Sequence, residues 1–315
     1  MNKLQTIAVI LSATLFSSAI AQQNFKIMAP CTIGCSWDVQ AHAIADALKA
    51  EGLATEVEVY NVPGQGGALG LQQLMKSRGD MNQLMTMGVG TVGGTLLNKS
   101  PVSLLDATPI ARLAADFEVV YVSESSSIKT LFDVQTMIRN KPESLIWGGS
   151  SAGSTSHMMA GLMVNAAAGD AKKIKFTPSS GNLQAAKAVI NNEITIATGS
   201  YAALSDLIST KQIRALGISA RFKVPGLSIP TLIAQGVNVE FVNWRGVMAP
   251  PGLSDRQRSQ LQLMFSRMVR SKTWRNIVTT NKWINYYQNA DNYNTFLEQQ
   301  YGAVGTLLRS LDILK

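Results

Sequence analysis

The chain has 315 residues, of which 46% are hydrophobic and 15% are charged. This composition is typical of a globular protein with a sizeable core, and the length favours two domains without repeats or low-complexity tracts. The formal net charge is +8, which either steers anions toward a cleft or is simply solvated. The basic residues of 256–275 lack the interleaved aromatic pattern of a nucleic-acid platform, so we expect no nucleic-acid partner.

The first 21 residues have the pattern of a cleavable secretory signal. Lys3 and the amino terminus precede a mostly apolar run from Ile7 to Ile20, and Ala19-Ile20-Ala21 is a small-x-small cleavage site before Gln22. The apolar run is shorter than the roughly 20 residues that span a bilayer. We therefore expect a protein exported to the periplasm, with an uncleaved membrane anchor as the less favoured alternative.

In chain order, strand and helix patterns alternate through the first third. The predicted elements are a strand at 25–28, a helix at 38–49, a strand at 56–60, a helix at 68–76 and a strand at 84–87. The glycine-rich segment 88–94 predicts a further turn, which faces the same cleft as the glycine-rich loops at 29–38 and 62–67. This order indicates a sheet flanked by helices.

The middle of the chain repeats this alternation. The predicted strands are 117–122, 145–147, 174–176, 194–197 and 213–218, and the predicted helices are 131–139, 154–168, one that ends at 190, and one that opens at 199–201. A weak strand at 239–242 then leads into 243–247, and Ser254 is predicted to cap a long amphipathic helix. The pattern predicts a mostly parallel sheet with ligands at the carboxyl ends of its strands.

Three glycine-rich loops each connect a predicted strand to a predicted helix, at 29–38, 62–67 and 148–154. Such loops leave backbone amides unpaired at helix N-termini, where the helix dipole favours an anion. The sequence therefore predicts that a small carboxylate or phosphate binds to these loops.

The only two cysteines, Cys31 and Cys35, lie in the first of these loops. Disulfides form in exported proteins, but so short a ring demands specific geometry, and the sequence leaves a disulfide and two free thiols equally open. The two histidines, His42 and His157, complete no zinc-ligand spacing with them. We expect neither a metal nor a cofactor.

The motifs together resemble those of the extracytoplasmic solute receptors of tripartite tricarboxylate transporters, also called Bug-type receptors. The resemblance covers nearly the whole mature chain. It is carried by Ala29, Pro30, Gly34, Trp37 and Asp38 of the first loop, the Asn-x-Pro-Gly-x-Gly-Gly turn at 61–67, the loop at 148–154 with His157, and the segment 243–252. Two departures stand out: Ile33-Gly34-Cys35-Ser36 replaces the family's Pro-Gly-Gly-Gly, and His42 stands where Arg is common.

The resemblance implies an α/β fold of the two-lobed periplasmic binding protein kind, type II-like, with two mostly parallel sheets flanked by helices and joined by a hinge. The implied division is a signal peptide at 1–21, lobe 1 at 22–122 and 243–315, and lobe 2 at 123–242. The implied function is to bind a small organic acid, a tricarboxylate such as citrate or a dicarboxylate, and to deliver it to membrane transporter subunits. Because the first loop departs from the family pattern, citrate is only a default.

The predicted ligand contacts are loop amides and hydroxyls, which bind a carboxylate through charge-assisted hydrogen bonds. A plain tight turn is the alternative for the second loop, and helix capping is favoured for Asp38 because a carboxylate repels an anionic ligand. Trp244 and Arg245 are interpreted as hinge or core residues. The candidate ligand-binding residues are Ser36, Trp37, Asp38, Gly66, Gly67, Ser150, Ser151, Ser154, Thr155, Ser180, Gly181 and Ser200.

Two other functions were weighed against this one. The segment Gly149-Ser150-Ser151-Ala152-Gly153 matches the nucleophile elbow of a serine hydrolase, but the triad requires a later histidine and none follows His157, so we expect no enzyme. A sensor that presents its closed form to a signalling partner is the other alternative, and the sequence does not separate it from a transport receptor.

Overall fold

A computed structural model describes residues 24–314, so the predicted signal peptide lies outside the described residues. The strands are β1 (Asn24–Ala29), β2 (Glu56–Asn61), β3 (Gln83–Gly88), β4 (Thr108–Ser123), β5 (Ile146–Gly149), β6 (Lys175–Pro178), β7 (Ile196–Ser200), β8 (Ile213–Ile218), β9 (Val242–Ala249) and β10 (Ile284–Asn289). The helices are α1 (Ser36–Ala50), α2 (Ala68–Lys76), α3 (Val89–Leu97), α4 (Leu131–Asn140), α5 (Thr155–Ala166), α6 (Asn182–Ile190), α7 (Tyr201–Ser209), α8 (Asp255–Arg270), α9 (Lys272–Thr280) and α10 (Ala290–Ser310). Within this part of the chain, none of the helices has both the length and the apolar character that a membrane span needs.

The strands form a continuous sheet in the order β2-β1-β3-β9-β4-β7-β5-β6, and β8 and β10 also pair with β4. The long strand β4 divides the sheet: Thr108–Phe117 pairs with β9, and Glu118–Ser123 pairs with β7 and β8. We call β1, β2, β3, β9 and β10 with their helices the first half, and β5 to β8 with theirs the second half. The lobe limits predicted at 122 and 243 stay a prediction.

Pairing within each half follows one plan. The outer strands are parallel, as expected from the β-α alternation: β1 pairs with β2 and β3, and β5 pairs with β6 and β7. Around β4 and β9 the pairing is antiparallel. The antiparallel part is where the two halves are joined, because β4 extends from one half into the other.

Helices cover both faces of the sheet in the first half. On one face, Ile27 of β1 packs in a core with Ile44 of α1 and Phe265 of α8. On the other face, Met28 packs in a core with Val92 of α3 and Tyr293 of α10. Successive strand residues point to opposite faces, so the neighbours Ile27 and Met28 belong to different cores. The first half is therefore a three-layer α/β/α unit.

The second half has the same three layers. Val120 of β4 and Trp147 of β5 pack with Met159 of α5 in one core. Val119, the neighbour of Val120, lies in the opposite core with Leu204 of α7. The sheet flanked by helices that the sequence predicts is thus confirmed in both halves.

One segment differs from the sequence-based expectation. Residues 88–94 were expected to form a glycine-rich turn, but all except Gly88 belong to α3. The prediction was wrong because glycine is a poor helix former in isolation, whereas here its lack of a side chain lets other elements approach closely. A β-carbon on Gly94 would lie 2.7 Å from the Gln65 carbonyl oxygen and would also clash with Gly66, and one on Gly93 would lie 2.8 Å from Met158 Cε.

The segment from 239 to 254 also differs in detail from the sequence-based expectation. The weak strand expected at 239–242 begins only at Val242, and the strand continues to Ala249. The cap predicted at Ser254 is confirmed, since its side chain accepts a hydrogen bond from the Gln257 amide at the start of α8.

Candidate functional site

Helix N-termini collect at the carboxyl edges of both sets of parallel strands. In the first half α1, α2 and α3 follow β1, β2 and β3, and in the second half α5, α6 and α7 follow β5, β6 and β7. Parallel strands end at the same edge of a sheet, so the helix N-termini that follow them lie together. Among the described residues no side chain caps α1 or α6, which leaves first-turn amides open to an anion.

The first loop is held in place by Asp38. This buried carboxylate accepts a hydrogen bond from the Gly34 amide through Oδ2 and from Asn61 Nδ2 through Oδ1, both at 2.8 Å. Asn61 Nδ2 also donates to the Cys31 carbonyl at 3.1 Å. Asp38 therefore orients the first loop and joins it to the second. Its predicted role as a ligand contact stays a prediction.

A disulfide closes the first loop. It links Cys31 and Cys35, whose Cα atoms are 6.4 Å apart. Ser36 follows directly and is exposed at the start of α1. The bridge adds a covalent constraint to the hydrogen bonds of Asp38, so the loop enters α1 in a fixed path.

Trp37 joins the starts of α1 and α3. Its half-buried indole covers the glycines at the start of α3, where a β-carbon on Gly88 or Gly90 would lie 3.2 Å or 3.1 Å from ring atoms. Its carbonyl accepts a hydrogen bond from Thr86 Oγ1 at 3.0 Å. The side chain thus forms part of the wall between two helix N-termini.

Gly66 and Gly67 of the second loop pack against α3. Gly66 has φ 62° and Gly67 has φ 95°, values that favour glycine. A β-carbon on Gly66 would lie 2.8 Å from Gly94 Cα, and one on Gly67 would lie 3.3 Å from Thr91 Cγ2. The Gly67 amide donates to the Gly64 carbonyl within the turn. Turn geometry and packing explain both glycines, and ligand binding by them stays a prediction.

The third loop is organised by its own side chains. Ser154 caps α5 by accepting a hydrogen bond from the His157 amide, and the Gly153 amide donates to His157 Nδ1 at 3.1 Å. The His157 ring stacks on Phe176 with centroids 3.9 Å apart. Ser150 Oγ lies 3.3 Å from Ser156 Oγ. Each of these contacts fixes the loop backbone.

His157 is a neutral structural group. Burial lowers the pKa of its imidazole to about 4, and Nδ1 is occupied by the Gly153 amide. Ser151, the nucleophile position of the elbow motif, is exposed and forms no hydrogen bond with this imidazole in the described structure. Ser151 therefore has no hydrogen-bonded general base, and this geometry argues against a serine hydrolase.

The third loop reaches the first half through α3. A β-carbon on Gly93 would lie 3.1 Å from the Gly153 carbonyl oxygen. The small residue at this position therefore lets loop and helix approach closely. Thr155, which begins α5, is half-buried beside this contact.

The remaining candidates of the second half lie at the starts of α6 and α7. Gly181 is the N-cap of α6, and Ser180 before it is exposed. Asn182 Oδ1 accepts a hydrogen bond from the Ser200 amide at 3.4 Å, which joins the two helix starts. Ser200 caps α7 and is buried.

Five residues form a polar cluster where β4 passes between the halves: Asp116, Glu118, Ser200, Asn243 and Arg245. We call them the junction cluster. Asp116 Oδ2 accepts hydrogen bonds from Ser200 Oγ and from Arg245 Nη2, the latter at 3.2 Å. Asn243 Nδ2 donates to Glu118 Oε1 at 3.3 Å.

The junction cluster touches the candidate loops of both halves. Arg245 Nη1 donates to the Ser36 carbonyl at 3.1 Å, and the Thr155 side chain is near enough to Glu118 to lower the pKa of that carboxyl. Ser200 belongs to the cluster itself. The structure thus brings Ser36, Thr155 and Ser200 together around two buried carboxylates.

The junction cluster contains a carboxyl with a raised pKa and buried polar atoms without hydrogen-bond partners among the described residues. The pKa of Glu118 is raised to about 8, first by burial and then by the charge of Asp116, while Thr155, Arg245 and Asn243 oppose the rise. Asp116 Oδ1, Glu118 Oε2 and Arg245 Nε are buried and have no hydrogen-bond partner in the part of the chain that the structure describes. An unpaired buried polar group costs about 1–3 kcal/mol, so stability alone does not explain this arrangement.

The sequence reasoning missed Asp116 and Glu118. They stand two residues apart within a mainly apolar strand, and this spacing places both on one face of β4. Acidic residues at i and i+2 in a buried strand are the signal that would have found them. In the described part of the chain, no group of three or more His, Cys, Asp and Glu side chains is arranged to hold a metal.

Comparison with known proteins settles the family. The model of the family described as "Tripartite tricarboxylate transporter family receptor" (TctC) matches residues 41–313. The chain belongs to this family. Members of the TctC family are periplasmic solute-binding receptors rather than enzymes, and the hydrolase interpretation has no further support.

This TctC receptor is distantly similar in sequence to the following proteins. It is 23% identical over 254 residues to the "UPF0065 protein in the TAR-I ttuE-ttuC' intergenic region" of Agrobacterium vitis, covering 78% of this chain and 72% of that protein. MatC of Rhodopseudomonas palustris, solved with malate, shares 18% identity and a TM-score of 0.77 over 93% of this chain and 99% of its own. Another R. palustris protein, solved with adipate, shares 19% identity and a TM-score of 0.81 over 92% and 97%. These structures confirm the two-lobed periplasmic binding protein fold.

Proposed function

We propose that this TctC receptor captures a small organic carboxylate in the periplasm, between its two halves, and delivers it to the membrane subunits of a tripartite tricarboxylate transporter. The observation that carries the proposal is the convergence of Ser36, Thr155 and Ser200, which begin or cap helices of different halves, around one junction cluster. Family membership supports the transporter as the partner.

The chemistry of the helix starts suits a carboxylate. Open amides at the N-termini of α1 and α6 and the hydroxyls of the third loop donate hydrogen bonds, and such bonds are stronger when the acceptor is charged. Water completes the shell at little cost. The malate and adipate of the two R. palustris structures favour a dicarboxylate-sized ligand over citrate.

Delivery of the ligand to the membrane subunits depends on how the two halves move relative to each other. A ligand that contacts both halves binds the closed arrangement more tightly than the open one and shifts the equilibrium toward it. The membrane partner then needs to recognise only the closed shape. Strand β4 is the element that both arrangements share, because it pairs in both halves.

A thermal-shift experiment tests the proposal. Residues 22–315 are purified, unfolded and refolded to remove carried-over ligand, and melted with malate, adipate, succinate, citrate, amino acids and neutral sugars. At least one carboxylate is expected to raise the Tm in a concentration-dependent way, because a ligand at 100 times its Kd stabilises the native state by about 2.7 kcal/mol.

Two serine variants make the test specific. Ser151→Ala, on the exposed third loop, is expected to weaken binding several-fold, whereas Ser259→Ala, on the exposed face of α8, leaves it unchanged. A panel in which no carboxylate raises the Tm, although sugars or other neutral solutes do, would overturn the proposal.

A further inference from the structure

The junction cluster contains two acidic side chains and one basic side chain. Arg245 pairs with Asp116 at 3.2 Å, and both side chains are almost completely buried. Glu118, also fully buried, forms no ion pair with any described residue. Among the described residues, its carboxylate accepts a hydrogen bond from the neutral Asn243 amide, and the nearby Thr155 side chain lowers its pKa. A carboxylate in this position lacks a cationic partner.

Two carboxylate oxygens of the junction cluster lack hydrogen-bond donors. They are Glu118 Oε2 and Asp116 Oδ1, each unpartnered within residues 24–314, and the two residues lie on one face of β4. Thr155 at the start of α5 contacts Glu118, and Ser36 at the start of α1 is reached through Arg245. Two acceptors therefore lie beside helix starts that suit a carboxylate.

We propose that Glu118, assisted by Asp116, binds the primary ammonium group of the ligand, so that this receptor takes a zwitterionic amino acid in preference to a fully anionic di- or tricarboxylate. This inference rests on the proposed function. The ligand carboxylate lies at the helix starts, and the N–H donors of its ammonium group reach Glu118 Oε2 and Asp116 Oδ1.

Charge explains the preference. Asp116 and Glu118 share a single guanidinium, so Glu118 holds a negative charge only beside a further cation, and attraction between opposite charges is stronger in a buried site than in water. An ammonium group supplies both the missing charge and the missing donors. A trimethylammonium group supplies the charge but has no N–H, so it is expected to bind more weakly.

Protonation gives the proposal a second readout. The pKa of Glu118 is raised to about 8, so the free receptor holds a proton there near neutral pH, and an ammonium ligand displaces it. The charged or titratable groups that face Glu118 are Asp116 and Tyr121 on β4 and Arg245 on β9. Amino-acid affinity is therefore expected to fall as the pH falls, and binding near neutral pH is expected to release up to one proton.

The experiment compares matched ligands on the refolded mature chain by titration calorimetry. The pairs are 4-aminobutyrate with succinate and 6-aminohexanoate with adipate, and L-aspartate, L-glutamate and L-alanine are measured beside malate and glycine betaine. At least one amino acid is expected to bind about tenfold or more tightly than the dicarboxylates. Titrations in buffers of different ionisation enthalpy measure the proton release.

Two matched variants separate the role of Glu118 from a general effect. Glu118→Gln is expected to weaken amino-acid binding by about tenfold or more and to abolish proton release, while dicarboxylate binding is unchanged or tighter. Glu240→Gln, which removes an exposed carboxylate paired with Arg221, is expected to change neither. The Tm of each variant verifies that it is folded.

The outcomes distinguish this inference from the proposed function. If dicarboxylates bind and amino acids do not, or if Glu118→Gln leaves amino-acid affinity intact, the inference is wrong and the proposed function stands. If no carboxylate of either kind binds the folded receptor, the proposed function itself fails.

Discussion

Two buried carboxylates near helix starts, Asp38 in the first loop and Glu118 in the junction cluster, have different surroundings. Both oxygens of Asp38 accept hydrogen bonds, from the Gly34 amide and from Asn61. Glu118 accepts through Oε1 from Asn243, and Oε2 has no partner among residues 24–314. Burial alone does not assign a role. The hydrogen-bond partners distinguish a carboxylate that holds loops together from one whose second oxygen has no donor among residues 24–314.

The largest expected effect is a loss of folding stability when a substitution at Asp116 breaks the junction cluster. Asp116→Ala leaves the buried Arg245 without a counter-ion, and removing one partner of a buried ion pair costs about 3–5 kcal/mol. The free energy of unfolding in urea measures this loss.

Asp46→Ala is the matched control, because Asp46 pairs with Lys49 on the surface and is expected to cost less than about 1 kcal/mol. If Asp116→Ala does not fold, the double variant Asp116→Leu/Arg245→Met removes both charges and is expected to restore folding. A loss at Asp116 no larger than at Asp46 would contradict the comparison.

A smaller effect concerns the pH dependence that Glu118 imposes. Its folded pKa of about 8 lies above its ordinary value of 4.5, so its contribution to stability is fully present below that ordinary value and is lost as the pH rises toward 8. Relative to Glu118→Gln, the wild-type protein is expected to lose about 2 kcal/mol between about pH 5.5 and pH 7.

Urea unfolding of both proteins at a series of pH values measures that difference. His157 acts in the opposite direction, because its lowered pKa of about 4 removes stability as the pH falls below its ordinary value of 6.5. Its contribution is common to both proteins and cancels. A difference that does not vary with pH would show that Glu118 is not a neutral, protonated group in the folded protein.

The smallest expected effect concerns Asp38. Asp38→Asn keeps one acceptor oxygen but places an amide NH₂ where a second acceptor is needed, so one charged hydrogen bond is lost, at about 1.5 kcal/mol. Asp80→Asn is the control, since Asp80 is exposed and accepts from the Asn82 amide on the surface. Equal stability of the two variants in urea would show that Asp38 does not hold the loops.

The sequence predicted the loops better than the elements around them. The first and third loops and the Ser254 cap depend on contacts between residues close in the chain, such as Gly34 with Asp38 at a separation of 4. Helix α3 was mistaken for a turn, because the close approach of Trp37, Gly66 and Met158 explains its glycines. The first part of β4 was missed because Pro109, Arg112 and Asp116 interrupt its apolar pattern.

The sequence by itself determined the α/β alternation, the glycine-rich helix starts and the family, because propensities, caps and motifs are local properties of the chain. Only the tertiary structure decided that Ser200, Asn243 and Arg245 meet Asp116 and Glu118, at chain separations of 84, 125 and 129. Such contacts depend on how β4, β7 and β9 pair in one sheet, and no short segment of sequence specifies that pairing.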